Sequence, residues 1–301
     1  MRKVLFSSVH DWPWSRQISA LHPLKSTFVF NDEVANCKNN YKNLWLVVWD
    51  EPRKGRIPQF IPFERRILWI TEPSCYKQYP SWFTKQYKYI VTPNQIQVDH
   101  QCTQLISPPL INWFYGVNID KLNYDECYHI DRMLNDKRPA KSMKISIVCS
   151  NIRTIKNHQQ RLYFVQILQK IFKDRIDFYG RGFNKIQNKA NAINDYFYTI
   201  CLENNFEENF WTEKVADAYL GWSVPVYAGC PNLEVYFPEQ SFIRIDYRNI
   251  ESSVKVIYKL LEEEDDYSSR LEAISEARWR VLFKYNIFRC IDGILDQIEN
   301  I

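Results

Sequence analysis

With 301 residues, 46% of them apolar, the chain has material for two ordinary domains with sizeable cores. A formal net charge of +4 is too mild to argue for nucleic acid and fits an anionic small ligand or an acidic membrane surface. Seven glycines are few for a dinucleotide fingerprint, and eight cysteines without a CxxC pair exclude the common zinc spacings. The cysteines, at 37, 75, 102, 127, 149, 201, 230 and 290, are expected as buried free thiols in a reducing compartment; a disulfide framework is the lesser alternative. No apolar run reaches the length of a membrane-spanning helix, and the short run in MRKVLFSSVHDW is no signal segment.

Residues 3–7 read as the opening strand of an α/β domain. The loop over 9–14 holds His10, Asp11, Trp12 and Trp14: either a platform for an acceptor sugar or a proline-bent loop with packed indoles. Strands over 44–49, 66–70, 87–91 and 105–109 follow. The first three of these run into Asp50-Glu51-Pro52, Thr71-Glu72-Pro73 and Thr92-Pro93, as though strand ends enter one crevice. Glu72, backed by a proline that fixes the turn, is a rigid mount for a general base. Asp50, Glu51, His10 and Asp11 compete for that role, and a solvated acid or a capping partner is the structural alternative.

Over 112–142 the pattern loosens, and Lys137-Arg138-Pro139-Ala140-Lys141-Ser142 reads as a linker. Domains are therefore expected over 1–140 and 141–301. A strand over 144–149 ends at Ser150-Asn151. A helix over 158–173 sets Leu162, Val165, Leu168, Ile171 and Phe172 on one face. The strand over 176–179 leads into Gly180-Arg181-Gly182. Residues 152–189 carry nine Lys or Arg against two Asp. Most of that charge reads as a solvated face; Arg161, early in the helix and near a strand-end loop, is placed to clamp phosphate.

The organising stretch is 196–229. An aromatic strand over 196–202 reaches Glu203, Asn204 and Asn205. A helix over 212–220 places Val215, Ala216, Tyr219 and Leu220 at helical spacing, Gly221 stops it, and a strand over 224–227 follows. Such a unit closes as a right-handed parallel crossover, with ligands outside the carboxyl ends of its strands. Lys214 in a first turn opposes the helix dipole, and an anionic ligand would relieve it. Glu213 beside it suits sugar hydroxyls. Alternatively Glu213 serves the dipole and Lys214 is solvated; as an exposed first-turn lysine it is in either case expected to contribute little to folding. Helices over 254–261, 267–285 and 287–298 complete the chain, with an acidic run at 262–266.

The segment FYTICLENNFEENFWTEKVADAYLGWSVPVYAG, with Ser241-Phe242-Ile243 and Asp246 downstream, resembles the donor-site motif of the family 10 glycosyltransferases, the α-1,3/4-fucosyltransferases. In that family a Tyr-rich strand leads to Glu-Asn, then to Thr-Glu-Lys, a helix and a Val-Pro-Val/Ile strand. Cys149-Ser150-Asn151…Arg161 and Asp177-Phe178-Tyr179-Gly180 are similar to further family stretches. The resemblance implies an α/β fold of GT-B type, two Rossmann-like domains facing across a cleft, acceptor domain first. It implies transfer of L-fucose from GDP-fucose, with inversion, to a glycan hydroxyl, α-1,3 or α-1,4 on a GlcNAc-type residue.

By the same resemblance Glu72 is the catalytic base, since Trp69–Ser74 is similar to the family's acceptor-side segment with its Pro-Ser order inverted. Arg161 and Lys214 would neutralise the departing diphosphate. Ser150, Asn151 and Tyr196 would line the nucleotide pocket, and Asn204 and Glu213 would bind donor hydroxyls. Phe210 stands in that pocket where the family commonly has Tyr, which removes a hydroxyl. No metal cofactor is expected, a divalent ion being at most stimulatory. Many animal members carry a membrane anchor, so the chain is expected to be a soluble cytoplasmic enzyme of bacterial type or the catalytic part of an anchored one, with peripheral membrane contact and oligomeric state open. A GT-B enzyme with another nucleotide sugar, or a non-catalytic glycan- or nucleotide-binding protein, are the alternatives.

Overall fold

A computed structural model describes residues 1–30, 43–118, 126–263 and 265–300; Cys37 and residue 264 of the acidic run lie outside them. The chain forms two compact units, one of residues 1–111 with 285–301, the other of residues 112–284. The first holds β1 (Arg2–Ser8), β2 (Ser26–Phe30), β3 (Leu44–Trp49), β4 (Arg66–Trp69), a one-turn α1 (Ser81–Thr84), β5 (Tyr89–Thr92) and β6 (Thr103–Ile106). The strands pair in parallel in the order β2-β1-β3-β4-β5-β6.

Strand alternation sorts the side chains onto two faces. Val4, Phe6, Trp45, Val47, Ile67, Trp69 and Val91 lie in one buried cluster with Ile287, Phe288, Ile291 and Leu295 of the chain's last helix. Leu5, Leu46, Val48, Leu68 and Ile90 turn the other way, onto Ile57, Ile61 and Tyr87. β2 was not legible as a strand. It is an edge strand whose residues are only partly covered beyond Ser26, so its pattern is weak.

The second unit holds α2 (Ile130–Asn135), β7 (Met143–Val148), α3 (Lys156–Phe172), β8 (Ile176–Tyr179), β9 (Tyr196–Leu202), α4 (Glu213–Leu220), β10 (Val224–Ala228), β11 (Ile243–Arg244), α5 (Ile250–Glu262), α6 (Asp266–Ser269) and α7 (Leu271–Trp279). Its sheet is parallel, in the order β11-β10-β9-β7-β8. The last helix, α8 (Ile287–Glu299), belongs to the first unit; its Asn286 cap donates to the Gln17 carbonyl at 2.8 Å.

This division departs from domains over 1–140 and 141–301 at both ends. Residues 112–136 join the second unit: Phe114 N–H donates to Asp217 at 3.0 Å, Tyr115 OH to Asn194 at 2.8 Å, and Arg278 to the Met133 carbonyl. The stretch 137–142 is not a free linker, because the Lys141 ammonium donates to the carbonyls of Ile193 (3.1 Å) and Gly221 (2.6 Å). α8 returns because its apolar stripe completes the first core. The described cysteines are all free, Cys127, Cys149, Cys201 and Cys230 buried and Cys75 exposed. Among the described residues no helix is long and apolar enough to cross a membrane.

Candidate functional site

The second sheet reverses its direction of growth at β7. From β7 the chain adds β8 on one side, then β9, β10 and β11 on the other, so the crevice beyond the carboxyl ends of β7 and β9 is the topological switch point. A cavity of about 590 Å³ opens at these strand ends, and Ser150, Arg161, Lys185, Lys189, Glu213 and Lys214 are among its lining residues. Gly180 lets the end of β8 pass close to β7. Its φ is 112°, and a Cβ there would meet the Cys149 carbonyl oxygen at 2.2 Å.

Glu203 closes β9 with no exposed surface. Thr212 donates to its Oε1 from the backbone N–H (2.9 Å) and the hydroxyl (2.9 Å), and the hydroxyl is 2.8 Å from Oε2. Thr212 is also the N-cap of α4, accepting from Lys214 N–H at 3.4 Å. A buried carboxylate thus fixes the first turn of α4. The Lys214 ammonium lies 3.2 Å from Glu203 Oε2 and 3.3 Å from Glu213 Oε1. Burial works against its charge, but Glu203 and then Glu213 outweigh burial and hold its pKa above the ordinary lysine value. Burial also opposes the Glu213 charge, yet Lys214 and Lys189 carry its pKa down to about 2. The first-turn cation that the sequence left either solvated or waiting for an anion is held by two carboxylates.

Arg161 is buried in the second turn of α3. Its guanidinium donates to the side-chain oxygen of Asn204 and, at 3.5 Å, to the Leu202 carbonyl. Asn157 of the same helix donates to the Asn204 carbonyl at 2.8 Å, so α3 grips Asn204 twice. The Nε of Arg161 is buried without a hydrogen-bond partner, and no carboxylate pairs with this guanidinium among the described residues. By contrast Lys189 is matched by the fully buried Asp217 at 2.7 Å. α3 starts with no side-chain cap and no acid in its first turn, leaving the positive end of its dipole unopposed. Burial, with Arg161 and Lys214 adding to it, lowers the pKa of His158 and favours its neutral form. A buried guanidinium without a carboxylate partner among the described residues gives the cavity the electrostatics to attract an anion.

Of the residues expected from the sequence, Ser150, Arg161, Glu213 and Lys214 meet at this cavity, with Asn204 gripped by Arg161. Asn151 follows Ser150 but is exposed, its N–H on the Arg181 carbonyl at 3.0 Å, and does not line the cavity. Tyr196 opens β9 at its amino end, away from the carboxyl-end crevice. Its hydroxyl donates to Asp177 at 2.8 Å and lies 2.7 Å from that of Tyr179. Phe210 is buried in the core and has no face toward the cavity. Sequence reasoning placed Glu203 at the strand end without a role and counted Lys189 among solvated charges. The signal for Glu203 was its place directly before Asn204, at the end of an apolar strand.

In the first unit, Glu72 is half-buried just beyond β4. Thr71 before it is clasped to Asp50, donating from N–H to Oδ1 at 2.8 Å and from its hydroxyl to Oδ2, and Tyr79 OH also donates to Oδ1. Burial pushes the Asp50 pKa up against these hydrogen bonds. The competing carboxylates therefore have internal partners: Asp50 this clasp, Glu51 the Lys77 ammonium at 2.6 Å, Asp11 the Arg53 guanidinium. Trp14 is buried, its indole N–H on the His10 carbonyl at 3.2 Å, and the edge of the His10 ring meets Trp49 at 5.4 Å. The packed-indole reading of this loop holds for Trp14.

Residues 139–287 match the profile of the glycosyltransferase family 10 (fucosyltransferase) C-terminal region. The chain belongs to glycosyltransferase family 10. Among the proteins similar to it, an α-(1,3)-fucosyltransferase of Helicobacter pylori is 30% identical over 91 residues, 30% of this chain and 19% of that protein. The 4-galactosyl-N-acetylglucosaminide 3-α-L-fucosyltransferase 9 of Cricetulus griseus is 30% identical over 156 residues, 50% of this chain and 41% of that one. The chain thus spans less than half the length of these curated relatives. A crystal structure of an α1,3-fucosyltransferase with GDP-fucose superposes with a TM-score of 0.54 at 18% identity, covering 99% of this chain and 90% of that one. Another α1,3-fucosyltransferase crystal structure gives 0.56 at 16% identity, covering 100% and 90%. At these identities the likeness establishes the fold, and this family 10 chain has the α/β, GT-B class of fold.

Proposed function

We propose that the chain is a glycosyltransferase that moves L-fucose from GDP-fucose to a glycan hydroxyl, forming an α-1,3 or α-1,4 bond to a GlcNAc-type residue with inversion. The observation that carries this reading is the buried Arg161 guanidinium at the switch-point cavity, with an unused Nε and no carboxylate partner among the described residues. A diphosphate supplies the missing negative charge. Family membership, and a fold shared with an α1,3-fucosyltransferase crystallised with GDP-fucose, support fucose as the sugar.

In this reading Glu72 takes the proton of the acceptor hydroxyl as that oxygen bonds to C1 of fucose. The bond from C1 to the phosphate oxygen breaks, and GDP leaves with the electron pair. Arg161 is the principal cation facing the charge that grows there. Lys214 shares its own charge with Glu203 and Glu213, so its effect on the leaving group is the smaller. Glu213 and Asn204 bind donor hydroxyls, and Ser150 lines the nucleotide end. The side-chain cations supply the electrostatics, and transfer proceeds without an added divalent ion.

The test is incubation with a glycan acceptor and a panel of nucleotide sugars, with and without chelator. Product linkage and anomeric configuration are read by NMR. Fucosylated product of inverted configuration, formed in chelator, is expected. Transfer only from another nucleotide sugar points to a different GT-B donor. Neither transfer nor hydrolysis of any donor points to a binding protein.

A further inference from the structure

We infer that the outer face of α3 is a docking surface for an anionic lipid bilayer. The starting point is the fate of the nine cations between 152 and 189. Arg161, Arg181, Lys185 and Lys189 line the cavity, and Arg175 pairs with Glu262. That leaves Arg153, Lys156, Lys170 and Lys173. All four are exposed, and none forms an ion pair among the described residues.

Two of these charges lie on one helical stripe, and the other two flank it in sequence. Lys156, Tyr163 and Lys170 are seven residues apart, and seven residues of helix fall only about 20° short of two full turns. They therefore make one stripe about 20 Å long at 1.5 Å per residue. Arg153 precedes the stripe and Lys173 follows it. No Asp or Glu occurs anywhere from 152 to 173. The other outer helices of this protein are built differently. α5 pairs Lys255 with Glu251 (2.7 Å) and Lys259 with Glu263 (3.2 Å), and Arg280 just beyond α7 pairs with Glu276 (2.8 Å), each at i,i+4 spacing. That is the mixed-sign pattern of a solvated helix. Helix stability accounts for Lys170 in the last turn of α3, which the dipole favours, but not for Lys156 in its first turn, which opposes it.

Apolar side chains stand among the cations. Tyr163 is 60% exposed and Ile171 47%. Ile171 sits on the outer flank rather than on the buried face where helical spacing placed it. A polyanion such as RNA rewards the cations and gains nothing from isoleucine. A bilayer rewards both, taking Tyr and Ile into its headgroup boundary while anionic lipids meet Lys and Arg. Nothing in this surface depends on the identity of the donor in the cavity.

The test is co-sedimentation of the full chain with vesicles of phosphatidylcholine alone or with about 30% phosphatidylglycerol, the anionic fraction that a basic patch needs. Binding is expected to the anionic vesicles only, and to fall steeply between about 50 mM and 300 mM salt as the charges are screened. Lys170→Gln/Lys173→Gln, far along α3 from the cavity, should weaken it at least about fivefold, each lysine near an anionic surface being worth several-fold. Tyr163→Ser/Ile171→Ser should weaken it while leaving the salt dependence in place. Thermal unfolding and GDP binding of both variants should match wild type. Equal sedimentation of wild type and both variants, or no preference for anionic vesicles at low salt, overturns the proposal. So does a heparin affinity that Tyr163→Ser/Ile171→Ser leaves untouched together with its vesicle binding, since the surface is then a plain polyanion patch.

Discussion

The ammonium of Lys214 lies 3.2 Å from Oε2 of Glu203, a carboxylate with no exposed surface at the end of β9. This pair joins strand to helix at the rim of the cavity. A lysine expected to matter only to ligand therefore also matters to folding. Lys214→Ala leaves Glu203 buried with Thr212 as its remaining partner. Breaking a buried pair on one side costs roughly 3 kcal/mol or more, and the partial exposure of Lys214 brings the expectation to about 2 kcal/mol. Urea unfolding should show that loss. An unchanged midpoint would mean that the lysine is solvated after all.

Acid should loosen the same corner through Glu213. Its folded pKa of about 2 lies below the unfolded value of about 4.3. Its stabilising contribution is thus complete above the unfolded value and disappears as the pH falls through the folded one. Glu213→Gln should be less stable than wild type by a constant margin above about pH 5, with the gap closing between about 4.3 and 2. A gap independent of pH over that window would remove the Lys214 and Lys189 electrostatics as its cause. Asp217 runs the other way, since burial raises its pKa, so the variant comparison rather than the raw curve isolates Glu213.

Gly180→Ala tests how the crevice is built. The φ of 112° and the 2.2 Å approach to the Cys149 carbonyl leave no room for a methyl group. The substitution should cost about 2 kcal/mol or more of stability and displace the Ser150 end of β7. A thermal midpoint equal to wild type would show that the β8 turn relaxes freely.

Much of this was readable beforehand, and the reasons are particular. β7, β9 and β10 are buried on both faces, so their apolar runs stand out against Ser150-Asn151, Glu203-Asn204 and Gly229 at their ends. Arg161, Glu213 and Lys214 were legible because a strand end and a helix start were both visible around them. Tyr196 was misplaced because family likeness gives a residue's neighbours in sequence, while the parallel register puts it at the amino end of its strand. Phe210 looked like pocket lining and is core. The division between units was misjudged because 137–142 has the composition of a linker but the bonds of a packed turn, and because α8 repeats an amphipathic pattern that does not say which sheet it covers.

The role of Glu72 can be separated from that of its neighbour Asp50. Glu72→Gln should lower transfer by about 100- to 10,000-fold, the usual worth of a general base, with GDP affinity and stability unchanged. Asp50→Asn should instead cost stability, because Thr71 and Tyr79 lose a charged acceptor. Glu51→Gln and Asp11→Asn, which touch only partly exposed ion pairs, should change little. If Glu72→Gln turns over like wild type while another of the four collapses, the base is that other residue.

The reading of the cavity stands or falls on what Arg161 binds. The most direct measurement is calorimetric titration of GDP-fucose into wild type and Arg161→Gln, with circular dichroism showing both folded. Saturable binding to wild type is predicted, weakened at least tenfold, or about 1.4 kcal/mol, in the variant, since a buried guanidinium loses its charge-assisted bonds to the diphosphate. Equal affinity in the two proteins, or no heat from GDP-fucose while a uridine diphosphate sugar binds tightly, would contradict it.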